Sequence, residues 1–106
     1  MSNNTLNNYG LSSETLNLLN DVFRSFPEIE MVKIFGSRAM GNYRPGSDID
    51  LVIISRYLSH EEHLKILNAL EDLELLYEID CLNYRSIKEP ALKEHIDDYG
   101  KILYKA

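Results

Sequence analysis

The sequence predicts one α/β domain, a central sheet flanked by helices. Three observations carry the prediction. Apolar residues recur at helical spacing in some segments and run on in short blocks in others, and the two kinds of segment alternate. Glycine, proline and capping residues fall at the joins. A length of 106 residues with 44% apolar content is enough for one modest core. Residues 1–10 are polar and Asn-rich and read as a flexible tail, leaving 11–106 as the folded domain. No repeat, low-complexity block or linker divides it.

The elements follow in order. Leu16, Leu19, Phe23 and Phe26 line one face of a first helix that starts after Ser12-Ser13 and ends near Pro27. Val32-Lys33-Ile34-Phe35 is a short buried strand stopped by Gly36, where the chain can turn tightly and a ligand can approach the backbone. Ser37 is placed to N-cap a short helix that Gly41 closes. Asn42-Tyr43-Arg44-Pro45-Gly46 is a loop with strong turn chemistry. From near Asp48 through Ile54 the run is almost continuously apolar, as in a central strand covered on both faces. Ser59-x-x-Glu62 is a capping box for a helix expected to bury Leu64, Leu67 and Leu70. Residues 75–82 form a third strand, which carries Asp80. Ser86-x-x-Glu89 has the pattern of a second capping box, but Pro90 fits better as the first helical residue, so this helix begins near Glu89. It runs towards Tyr99, Gly100 ends it, and residues 101–104 make a last strand.

Composition narrows the function. A net charge of −6 weighs against nucleic acid as the main ligand, because such a binder needs basic surface to displace counterions. Cys81 is the only cysteine, so no intramolecular disulfide forms; with no signal peptide and no membrane-spanning run, the expected location is the cytoplasm.

The chemistry is concentrated in Asp48 and Asp50. Two residues apart on a strand, they project from one face. Carboxylates that close repel unless a cation lies between them or one takes up a proton. Burying them at the head of an apolar strand is costly without compensation, which magnesium and substrate phosphates would supply. Just upstream, the free N–H groups and dipole of a helix start favour phosphate. Ser37 adds a hydroxyl there, Arg38 a bidentate charge and Arg44 a second cation. Other candidates read as structural. His60 and His63 share a helix face but stand beside Glu61 and Glu62 as solvated residues, and His95 is read as a surface residue. Tyr77, Tyr84, Tyr99 and Tyr104 read as core or interface, and Cys81 as core.

Gly36-Ser37-Arg38-Ala39-Met40-Gly41, followed by Ser47-Asp48-Ile49-Asp50-Leu51, resembles the signature of the nucleotidyltransferase superfamily that includes DNA polymerase β. The resemblance is closest to its minimal nucleotidyltransferase domains: a Gly-Ser turn, a short helix, an Asp-x-Asp pair and a third acid on a later strand. Asp80 is the best match for the third acid, with Glu78 its competitor on the same strand face. One departure is Met40, where many relatives carry a second basic residue.

The resemblance implies a polymerase β-like fold with a mixed central sheet flanked by helices. It assigns Asp48, Asp50 and Asp80 as catalytic and metal-binding residues holding two Mg2+ ions, which Mn2+ could replace. Gly36, Ser37, Arg38, Arg44 and Ser47 become nucleotide-binding residues, and ATP the substrate. Similar domains are antitoxins of toxin–antitoxin pairs, in which a tyrosine of a small helical HEPN-type toxin receives AMP. Two alternatives stand beside this reading: a nucleotide-binding subunit that needs a helical partner to modify a small molecule, and a catalytically silent partner-binding module. The chain is too short for a self-sufficient polymerase, and both homo- and hetero-oligomers remain open.

Overall fold

The alternation in the sequence becomes a sheet with helices on both faces. The structure is a computed structural model that describes residues 9–106. Its elements are α1 (Ser13–Arg24), β1 (Met31–Phe35), α2 (Gly36–Met40), β2 (Ile49–Ile54), α3 (His60–Glu71), β3 (Ile79–Asn83), a 3-10 turn (Tyr84–Ser86), α4 (Pro90–Tyr99) and β4 (Lys101–Lys105). The sheet order is β3-β2-β1-β4. β1 pairs antiparallel with β2 and with β4, whereas β2 and β3 are parallel, so the sheet is mixed.

Strand alternation divides the interior in two. Val32 and Ile34 of β1 and Ile49, Leu51 and Ile53 of β2 join Leu19 and Phe23 of α1 and Ile66 and Leu70 of α3 in the main core. The opposite face is a smaller core of Phe35, Val52 and Ile96, with Leu82, Ile87 and Leu92 packed around it. α4 supplies Leu92 and Ile96 to this second layer. β2, central and covered on both sides, has the continuous apolar run that such a position demands.

Local signals account for the boundaries. Ser12 caps α1 by accepting from Thr15 N–H at 3.1 Å. The capping box of α3 is complete: Ser59 Oγ accepts from Glu62 N–H at 3.0 Å, and Glu62 Oε1 accepts from Ser59 N–H at 2.9 Å. Pro90 opens α4, where its missing N–H costs nothing.

Three local expectations are corrected. Leu64 is exposed, and Ile66 takes the buried place on α3, because the helix turns its Ile66–Leu70 stripe to the sheet. α2 starts at Gly36, and its N-cap position is Phe35 without a side-chain bond, so Ser37 lies inside the first turn and does not cap it. The tail expected over residues 1–10 falls mostly on 1–8, outside the described residues; Tyr9 and Gly10 belong to the packed structure, their carbonyls held by Arg38. No helix among the described residues is long and apolar enough to cross a membrane.

Candidate active site

The β1–α2 turn and the head of β2 come together because β1 and β2 are antiparallel neighbours. Phe35, the last residue of β1, pairs with Asp50. Gly36 then turns the chain with φ at +72°, and a Cβ there would run into Asp50 Oδ2. Glycine is required twice over, by backbone conformation and by the carboxylate lying against it. Gly41 closes α2 in the left-handed region, its N–H donating to Ser37 O at 3.0 Å.

The third carboxylate arrives through the parallel β2–β3 pair. Asp80 is the register partner of Asp50, so both side chains leave the same face of adjacent strands. Glu78 lies outside β3; its carbonyl accepts from Ile49 N–H at 2.9 Å. Asp80, rather than Glu78, therefore stands beside Asp50. Asp48 precedes β2 by one residue and is exposed, as is Asp80, while Asp50 is half-buried between them. Burial is the largest influence raising the Asp50 carboxyl above its ordinary range, followed by the Asp80 and Asp48 carboxylates, with His95 acting in the opposite sense.

His95 is the residue that sequence reasoning missed. It sits on α4, edge-on to Phe35 with ring centroids 6.2 Å apart, and 5.3 Å from the ring of Tyr99. Among the described residues, it is the one neighbour that acts to lower the Asp50 pKa. The available signal was weak: His95 and Tyr99 are four apart on a helix, flanking the buried Ile96.

Arg38 requires a correction. Read as a phosphate ligand, it is instead 1% exposed. Its Nη2 and Nε donate to Ser47 O at 2.9 and 3.2 Å, and Nη1 donates to Tyr9 O at 2.8 Å. The guanidinium also lies over the rings of Tyr43 and Tyr77 at 5.3 and 4.9 Å. A fork of donors surrounded by carbonyls and aromatic faces is spent on structure: it ties the chain before α1 to the loop before Asp48. Ser47 belongs to the same loop lock. Its Oγ accepts from Arg44 N–H at 2.7 Å, and its own N–H donates to Arg44 O at 2.9 Å. The Arg44 side chain, in contrast, is exposed and forms no ion pair among the described residues.

His63 and Cys81 are structural. His63 Nε2 lies 2.8 Å from Cys81 O, covering a carbonyl of the edge strand β3. Burial and the neighbouring Asp80 push the Cys81 thiol up to about 12, which leaves it inert as a nucleophile. A cavity of about 640 Å³ opens along the outer side of β3 and α3 and touches Asp80 alone of the three aspartates.

Among the described residues, no three His, Cys, Asp or Glu side chains converge into a ready-made metal cage. The donor chemistry nevertheless suits a hard cation. Magnesium commonly takes one or two carboxylates and leaves its other positions to water and phosphate. Asp50 and Asp80 are such a pair; burial first, and then the neighbouring carboxylates, raise Asp50, and a cation would offset both.

The family profile described as "Polymerase beta, Nucleotidyltransferase" matches residues 17–106, from the middle of α1 to the last residue and so across every strand and all three aspartates. The chain belongs to the polymerase β-type nucleotidyltransferase family. It is 30% identical over 74 residues, covering 67% of this chain and 73% of the relative, to a Methanocaldococcus jannaschii protein named "putative protein adenylyltransferase". Its fold is similar to a toxin–antitoxin structure with AMP-PNP at a TM-score of 0.67 and 22% identity, covering 86% of this chain and 73% of that one. It is also similar to a structure of a tri-AMPylated Shewanella oneidensis HEPN toxin in complex with its MNT antitoxin, at a TM-score of 0.63 and 19% identity, covering 88% and 71%. The mixed sheet and flanking helices are those of the polymerase β-like nucleotidyltransferase fold, as the Gly-Ser and Asp-x-Asp motifs imply.

Proposed function

We propose that this chain transfers AMP from ATP to a hydroxyl acceptor, a tyrosine of a small helical HEPN-type partner, and so acts as the antitoxin of that partner. One observation carries the reading: Asp50 is wedged against Gly36 and faces Asp80 across the β2–β3 pair, with Asp48 ahead of it. A half-buried carboxylate flanked by two others destabilises an isolated fold, and a site for a divalent ion with a triphosphate explains its presence. The adenylyltransferase name of the 30% identical relative and the AMPylated toxin in a structural neighbour support AMP as the group and a protein as the acceptor.

Each side chain then has a role. Asp48, Asp50 and Asp80 would hold Mg2+, two ions in all, with Mn2+ able to replace them. When bound, the metal supplies Lewis-acid stabilisation of the charge that builds on the transferring phosphoryl group. Asp80, exposed at the edge strand, accepts the proton of the acceptor hydroxyl as that oxygen bonds to the α-phosphorus and the bond to pyrophosphate breaks. Gly36 lets the outer phosphates approach the backbone, with Ser37 beside it. Arg44, which forms no ion pair among the described residues, neutralises the leaving pyrophosphate. Arg38 and Ser47 hold the loop that carries Arg44 and Asp48 in place.

The test is transfer of label from α-labelled ATP to a co-purified helical partner, by the native chain and by Asp48→Asn with Asp50→Asn. The expected result is a labelled partner tyrosine with the native chain and none with the double variant. Label transferred equally by both would sink the assignment, and neutralisation of the partner by the dead variant would point to contact alone.

A further inference from the structure

The α4 face of the sheet has a second polar end. Ile54 lies four positions beyond Asp50 on β2, about 13 Å along a strand. Beside Ile54 opens a cavity of about 460 Å³ lined by Arg56, Arg85, Lys93, Tyr84, Ser55 and Glu30. The chain has 17 acidic residues against 11 Lys and Arg, so cations here should readily find carboxylates. Arg56 does, with Nε 3.3 Å from Glu30 Oε2. Arg85 and Lys93 do not: among the described residues neither forms an ion pair. Lys93 Nζ lies 5.4 Å from the Tyr84 ring centroid, and the neighbouring Asp97 carboxylate accepts from the Tyr84 hydroxyl at 2.9 Å. The backbone N–H of Arg85 is fixed by Asn83 Oδ1 at 3.3 Å. Three cations and one carboxylate thus face one opening on an otherwise acidic protein. Guanidinium and ammonium groups placed like this match the charge and acceptor oxygens of a phosphate.

We propose that this cavity binds a phosphate group, carried by inorganic phosphate or by a nucleotide, at a site separate from Asp48, Asp50 and Asp80. It is independent of the transfer reaction proposed above, since none of its residues belongs to that site.

The experiment is an amide NMR titration of the full chain with inorganic phosphate and, separately, with AMP. EDTA is present throughout, so that no divalent ion links phosphate to the aspartates. The expected result is a saturable response centred on Ser55, Arg56, Arg85 and Lys93. Arg85→Gln with Lys93→Gln should weaken it by about tenfold or more. Lys88→Gln, a cation outside the cavity, should leave it unchanged. Tighter binding of AMP assigns a nucleotide; equal binding assigns the phosphate alone. Arg85→Gln by itself removes a side chain that forms no ion pair among the described residues and keeps the test valid if the double variant misfolds. No response, a response centred on Gly36 and Ser37, or Arg85 variants that titrate like the native chain would overturn the proposal.

Discussion

Ile49, Leu51 and Ile53 of β2 face α1 and α3 and are wholly buried, whereas Asp50, Val52 and Ile54, interleaved with them, face α4. The first face is apolar from end to end. The second has a small apolar centre with charge at either end: aspartates beside the β1–α2 turn, cations beyond Ile54. One strand therefore serves stability through its odd-numbered residues and, in the proposed function, chemistry through Asp50. The lesson is that the main core can be large enough to carry a costly second face, and substitutions one residue apart should separate the two.

The sharpest break is Asp50→Asn. Transfer should fall by at least about a hundredfold, as when a preorganised charge-stabilising group is removed, measured by labelled AMP incorporation. Stability should move the other way. A carboxyl whose pKa is raised on folding binds its proton more tightly in the native state, so its ionisation costs stability above that pKa and nothing well below the ordinary aspartate value. Without divalent ions, the variant should melt higher than the native chain near neutral pH, and the gap should close in acid. A lower melting temperature at pH 7 would contradict the account of Asp50.

Leu51→Ala, the next residue, should do the reverse. Removing a wholly buried side chain from the main core should cost about 2–5 kcal/mol in denaturant unfolding. The Arg38 and Arg44 pair sharpens the contrast within the motif itself. Arg38→Ala should lose about 1–3 kcal/mol, because the part-buried carbonyls of Tyr9 and Ser47 and the buried one of Gly10 lose a charged donor. Arg44→Gln should leave the melting curve unchanged and raise the KM for ATP. If Arg38→Ala were as stable as Arg44→Gln, the structural reading of Arg38 would be wrong. Gly36→Ala comes next, at about 1–3 kcal/mol for a left-handed non-glycine residue, together with displacement of Asp50 and loss of transfer. Smallest is the Cys81 thiol, which should resist alkylation at pH 8 in the folded chain and react only on unfolding.

The main face was legible in the sequence because it obeys local rules. Helical spacing, two capping signals and the apolar run of β2 each act over a few residues. The expectation that Asp48 and Asp50 share a face rested on strand alternation as well, but β2 begins at Ile49, so alternation governs Asp50 and not Asp48. Asp80 beside Asp50 depends on β2 and β3 being adjacent and parallel, which periodicity does not encode; the family resemblance supplied that choice. Arg38 misled because a cation after a Gly-Ser turn has the chemistry of a phosphate ligand. Its real partners, Tyr9 O and Ser47 O, come from segments on either side of α1 and β1. His95 was invisible because its meaning comes from α4 lying over Phe35.

The most direct test of the central claim, that the aspartate end of the α4 face is a metal–triphosphate site, is calorimetric titration of the chain with ATP, with magnesium and then with EDTA. The account predicts magnesium-dependent binding that Asp50→Asn abolishes and Arg85→Gln leaves intact. Binding of equal strength in EDTA, or binding retained by Asp50→Asn, would contradict it.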